Sequence, residues 1–79
     1  MKISLLKSAQ DNENFKLLEK LGFEVFKIYD LEETDSKIEE LINKKYNTII
    51  ISNEVASFSE DIIKKYNKNA NIKIIINNK

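Results

Sequence analysis

Six residues of the chain combine hydrogen-bonding side chains with positions at turns. They are Ser8, Gln10 and Asp11 near the start, and Ser52, Asn53 and Glu54 in the middle. Lys7 and Asn12 flank the first group. Side chains of these types can hold a small polar ligand. They can equally cap helices, by accepting hydrogen bonds from the free N–H groups of a first turn.

Catalysis asks for more. A serine nucleophile needs a base beside it, and the chain has no histidine. It has no cysteine either, which excludes a thiol phosphocarrier, a thiolate metal site and a disulfide. A phosphate-cradling loop needs several glycines so that the backbone can approach the anion, and Gly22 is the only glycine. A phosphoacceptor receiver would carry acids after its first strand and an aspartate after its third, where Lys7-Ser8 and Ser52-Asn53 stand instead. The acidic group Asp30, Glu32, Glu33 and Asp35 lacks the glycine turn and alternating spacing of a calcium loop, and reads as compensation of a helix dipole. The residues therefore offer no catalytic, metal-binding or cofactor-binding set. They favour an interaction module over an enzyme.

Composition narrows the classes further. Seventy-nine residues allow one domain, spanning 1–79, near the lower size at which an uncrosslinked core suffices. Lysines and acids balance at zero net charge, so no strong field attracts nucleic acid or anionic lipid. All the cations are lysine, which argues against a bidentate arginine clamp. No apolar run approaches the roughly 20 residues that span a bilayer. The first seven residues are too short and too interrupted for a signal peptide, so a cytoplasmic location is expected.

The elements that must position these residues follow from periodicity. Ile3, Leu5 and Leu6 predict a first strand over 2–6, with 7–12 as a turn. Asp11 or Asn12 caps a helix carrying Phe15, Leu17, Leu18 and Leu21, closed by Gly22 at the left-handed position after its end. Residues 23–29 are aromatic and β-branched, a second strand interrupted by Glu24 and Lys27, as suits an edge. Asp30, or a later Ser36…Glu39 capping box, starts a second helix with Leu31, Thr34, Ile38, Leu41 and Ile42 on one face. Its last turn carries Lys44 and Lys45, whose charges complement the helix dipole.

Thr48 and three isoleucines form a third strand suited to burial on both faces. Val55, Phe58, Ile62 and Tyr66, with Ile63 beside them, trace a third helix that a Ser57…Glu60 box could interrupt. Residues 71–77 form a fourth strand with Ile72, Ile74 and Ile76 inward. Tyr29, Tyr46 and Tyr66 each end an element and read as amphipathic residues at the edge of the core.

The order βαβαβαβ requires a parallel sheet with right-handed crossovers. The evenly apolar first and third strands belong in the centre and the charged second and fourth at the edges. The prediction is a three-layer α/β domain of Rossmann-like kind, a four-stranded parallel sheet in the order 2-1-3-4. Its winding reverses between strands one and three, which brings Ser8, Gln10 and Asp11 together with Ser52, Asn53 and Glu54.

Several segments together resemble the F subunit of the vacuolar/archaeal-type (V/A-type) rotary ATP synthases. They are Met1-Lys2-Ile3, Phe15-Lys16-Leu17, Val25 to Tyr29, Asp30-Leu31-Glu32-Glu33 and Tyr46 to Ala56. The most specific is Ile49-Ile50-Ile51-Ser52-Asn53-Glu54-Val55-Ala56, similar to the family's Ile-Ile-x-Ile-Thr-Glu-Glu-x-Ala. Ile62-Ile63-Lys64-Lys65-Tyr66 and the strand to Ile76 continue the likeness over nearly the whole chain.

Departures accompany it. Lys7-Ser8 replaces the family's Gly-Asp, Asn14 replaces the glycine before Phe15, and the first helix reads about a turn longer. The sequence stops at Lys79, where the family continues into a C-terminal helix. The resemblance implies a non-catalytic central-stalk component, peripheral to a membrane complex. Such a component binds the coiled-coil rotor protein of the stalk and helps couple ATP turnover to ion transport. The residues themselves lead to the expectation of no cofactor, no nucleic acid and no membrane insertion.

Docking would use an edge strand or an exposed helix face. Phe23, Val25 and Tyr29 on the second strand and Asn77 on the fourth are the candidates. The alternative is a free-standing regulatory or ligand-binding module that uses the loops after strands one and three. A homodimer through an edge strand is compatible with either.

Overall fold

The computed structural model describes residues 3–11 and 15–77. Strand β1 (Ile3–Ser8) leads to a short helix α1 (Lys16–Lys20) and strand β2 (Glu24–Ile28). A 3-10 turn (Leu31–Glu33) opens helix α2 (Thr34–Asn43). Strand β3 (Thr48–Ser52) runs into a one-turn helix α3 (Asn53–Ala56), then helix α4 (Glu60–Asn67) and strand β4 (Lys73–Asn77). All strand pairs are parallel and the sheet order is β2-β1-β3-β4, as the apolar patterning requires.

Register partners share a face of the sheet. Leu6, Ile49, Ile51, Ile28 and Ile74 point to one face, where they join Ile38 and Leu41 of α2, Val55 and Ala56 of α3, and Ile63 of α4. Leu5 and Lys7 point to the opposite face. There Lys7 Nζ meets Glu19 Oε2 of α1 at 3.0 Å. The layers are thus α1 alone on one side and α2, α3 and α4 on the other. Right-handed crossovers dictate this, because the chain steps one way from β1 to β2 and the other way from β2 to β3 and β4.

Two consequences differ from the sequence expectation. β3 is not covered equally on both faces: Ile49 and Ile51 are fully buried, but Ile50 is only half-buried beneath the thin α1 layer. On β4, Ile74 is buried while Ile76, expected inward, is exposed, since the core does not reach the strand's end.

Element boundaries differ for local reasons. β1 continues through Lys7 and Ser8, expected in a turn, because both pair with β2 and are buried. α1 is a turn and a half, not a lengthened helix. Phe15 stands at its N-cap with φ 69°, a left-handed conformation that keeps its ring buried. Asp11, one of the two expected caps, does not start it; Asn12, the other, and Glu13 lie outside the described residues. So short a helix packs one side only, which leaves Leu17 and Leu21 at 70% and 66% exposure.

Asp30 accepts from the Glu32 N–H at 3.0 Å and caps the 3-10 turn, while the Ser36…Glu39 box does not form. The interruption expected near Ser57 is real, and it separates α3 from α4. Its cause is different: Ser57 donates to the Glu54 carbonyl, and the Ser59 hydroxyl donates to Asp35 of α2.

α1 and α2 end alike. Gly22 donates to the Glu19 carbonyl and Phe23 to Leu18; Lys45 donates to Ile42 and Tyr46 to Leu41. These are two Schellman endings, one with glycine at φ 96° and one with lysine at φ 74°. A β-carbon at Gly22 would meet nothing within 4 Å, so only its backbone conformation resists substitution. Gly22→Ala should therefore lower stability by about 1 kcal/mol and Lys45→Gly should raise it by a similar amount. Urea midpoints test this, and equal effects of one sign at the two positions would contradict it.

Candidate functional site: the switch point and the sheet edges

Where the winding reverses, β1 and β3 lie side by side and end in Ser8 and Ser52. Both serines are buried. Ser8 Oγ accepts from the Gln10 N–H at 3.2 Å, and the Ser8 carbonyl accepts from the Asp11 N–H at 3.0 Å. Ser52 Oγ faces the Val55 N–H at 3.5 Å, a long capping contact at the start of α3. Asn53 and Glu54 open α3 and are exposed, as is Gln10, while Asp11 is half-buried. The two loops do meet at one end of the sheet. Their hydroxyls are engaged with backbone N–H groups, which is helix and turn capping rather than a converging ligand set.

The four residues expected to bind a partner do not form one surface. Phe23, Val25 and Tyr29 follow β2 on one edge, and Asn77 ends β4 on the other. Phe23 and Tyr29 are themselves separated by about 20 Å of extended chain. Val25 is half-buried, whereas Tyr29 is 84% exposed and is not the core-edge residue that the sequence suggested. Tyr29, Glu33, Ser36, Lys37 and Glu40 border a cleft of about 400 Å³ beside this edge. Of the acidic group, Asp30 caps the 3-10 turn and Asp35 accepts from Ser59. Among the described residues no cluster of three or more acids could hold a metal ion.

Two contacts have no signal in the sequence because each joins distant residues. Asn67, at the end of α4, accepts from the Ile74 N–H at 2.8 Å and donates to the Ile74 carbonyl at 3.2 Å. Its carboxamide mimics a strand residue and occupies the outward groups of the edge strand β4 at that point. On the other edge, Glu24 accepts the Tyr46 hydroxyl at 2.7 Å, and the Tyr46 ring meets Phe26 edge-on with centroids 5.6 Å apart. Glu24, an interruption of β2 by its charge, thus anchors the chain entering β3.

Asn67→Ala should cost about 1–3 kcal/mol, because the backbone of buried Ile74 loses its partners. It should also increase self-association through β4. Denaturant unfolding and solution mass measure both, and an unchanged midpoint would remove this role for Asn67.

The Glu24 hydrogen bond first, then burial and the Glu24 charge, hold the Tyr46 hydroxyl above the ordinary tyrosine value. The folded protein thus keeps this proton where the unfolded chain releases it. The contribution to stability is complete below about pH 10 and is lost as pH rises through the folded value. Glu24→Gln should move the absorbance titration of Tyr46, assigned with Tyr46→Phe, back towards the ordinary value. A midpoint that Glu24→Gln leaves in place would refute the assignment.

No helix among the described residues is long and apolar enough to cross a membrane. Compared with known proteins, the chain matches no family, no curated protein and no solved structure.

Proposed function

We propose that this chain is a non-catalytic docking protein. Its specific form follows the sequence resemblance: a central-stalk component of a V/A-type rotary ATP synthase that binds the coiled-coil rotor protein at the cytoplasmic face of the membrane complex. The observation that carries the docking role is the outer side of α1. Leu17 and Leu21, one helical turn apart, are both about two-thirds exposed, and Phe23 follows them at 37%. Three large apolar side chains at one helix end of a small domain suit an apolar partner surface, such as the seam of a coiled coil.

The rest of the molecule fits this role. A four-stranded sheet with helices on both faces is a stiff platform, and net neutrality avoids indiscriminate binding of polyanions. The switch-point serines are engaged in capping, which favours docking over the alternative of a ligand module built on the loops after β1 and β3.

The double substitution Leu17→Ser/Leu21→Ser tests the reading. Both residues are exposed, so stability should change by no more than about 0.5 kcal/mol for each. Retention of the coiled-coil stalk protein by the tagged chain should fall at least tenfold. Failure of the unsubstituted protein to retain that partner would dismiss the stalk assignment. Undiminished retention by the double variant would move the docking surface away from α1.

A further inference from the structure

We propose that the open edge of β2 binds an extended peptide of a partner protein, which adds to the four-stranded sheet as a further strand beside the cleft at α2. The site does not rest on the docking surface of α1. Along a strand, the N–H and C=O of alternate residues point to the same side. The Ala9 N–H donates to the Ile28 carbonyl at 2.8 Å, so Ile28, Phe26 and Glu24 turn their backbone groups towards β1. Val25 and Lys27 therefore turn theirs outwards. Nothing among the described residues pairs with those outward groups.

The other edge is closed. On β4 the Lys73 N–H donates to the Asn47 carbonyl at 2.9 Å, which turns Ile74 outwards, and Asn67 takes both backbone groups of Ile74. A strand approaching β4 would meet that carboxamide in the middle of the edge. β2 carries no such plug. Its charged side chains do not act as one, since they project from the faces of the sheet. Glu24 accepts from the Tyr46 hydroxyl, and Lys27 stands beside Lys7 on the opposite face.

The edge itself defines the class of occupant. A row of backbone donors and acceptors at strand spacing is matched by another extended polypeptide, not by a compact solute. Charge disfavours a second copy of this chain. Two β2 strands pairing antiparallel through Val25 and Lys27 would set the Lys27 residues of the two copies diagonally opposite each other. Every second side chain of an added strand points towards α2, where a cleft of about 400 Å³ lies beside the edge. Two lysines and two glutamates line it, and one of each is paired, Lys37 with Glu40 at 3.4 Å. The side chains of Lys27 and Glu33 have no polar partner among the described residues. A neutral carboxamide, which both donates and accepts, can serve the two together, whereas a charged group attracted by one is repelled by the other.

The probe is the blocked peptide Thr-Val-Gln-Val-Gln-Val-Thr, titrated into the full chain with amide shifts, hydrogen exchange and solution mass as readouts. In the free protein the Val25 and Lys27 amides should exchange far faster than those of Phe26 and Ile28. Saturable binding should protect both and shift the residues of β2 and of the cleft. Two versions of the peptide carry N-methyl groups at alternate residues. The version whose methyl groups face β2 should bind about tenfold more weakly or worse, and the other should bind as the parent does. Ser36→Tyr fills the cleft from an exposed helix position and should weaken binding severalfold. Leu17→Ser/Leu21→Ser should leave it unaltered, which separates this edge from α1. Slow exchange at Val25 and Lys27 before peptide is added, no saturable binding at millimolar peptide, or equal loss with both methylated forms would overturn the proposal. A dimer of the free chain that shields the same two amides would overturn it in favour of a second copy.

Discussion

The right-handed crossover is the constraint from which the rest of this structure follows. Once β1 and β3 are central and β2 and β4 flank them, the direction of each step decides which face receives each helix. The single step towards β2 sends α1 to one face, and the two steps the other way send α2, α3 and α4 to the opposite face. The result is an unequal sandwich. One face has a continuous core from Leu6 and Ile49 to Ile38, Leu41, Val55 and Ile63. The other has five helical residues laid over Leu5 and Phe15.

That inequality explains where the apolar patterning reads differently from the burial. Ile50 alternates correctly but finds little above it, and Ile75 on the neighbouring edge strand is 42% exposed. Ile38 and Leu41, on a helix of ten residues, are fully buried, whereas Leu21, equally apolar and equally well spaced, is not. The difference lies in helix length. A ten-residue helix presents a stripe of more than two turns, while a helix closed after five residues by Gly22 has one packing side, on which Phe15 is buried and Leu18 half-buried.

What the sequence made legible was local and periodic. The β-branched strand running into Ser52, the left-handed glycine after α1 and the α2 face from Leu31 to Ile42 all follow from propensity, spacing and caps. The strand order followed from comparing how apolar each strand is. Less legible were groups whose partners are remote in sequence. Lys7 looks like a turn residue until Glu19, twelve positions on, neutralises it inside the sheet. Glu24 looks like an interruption until Tyr46 donates to it, and Asn67 looks like a helix end until its amide pairs with Ile74. The two serines at the switch point were found by residue type alone. Type does not distinguish a cap from a ligand contact; only the direction of the hydroxyl does.

α1 is the element whose two flanks differ most in their surroundings, and helix geometry keeps them apart. Successive residues turn by about 100°, so Lys16 and Lys20 share one flank while Leu17 and Leu21 lie roughly a quarter-turn away. The basic flank closes over the carboxyl ends of β1 and β2, drawn there by Glu19 reaching Lys7. The leucine flank is thereby forced outwards, because a helix pinned at Phe15, at Glu19 and at its Gly22 ending cannot rotate to bury it. Exposure of the leucines and convergence of the lysines are thus one structural fact. Phe15, the part-buried Lys7–Glu19 pair and the Gly22 ending together fix the roll of the helix, and the roll assigns each flank its surroundings.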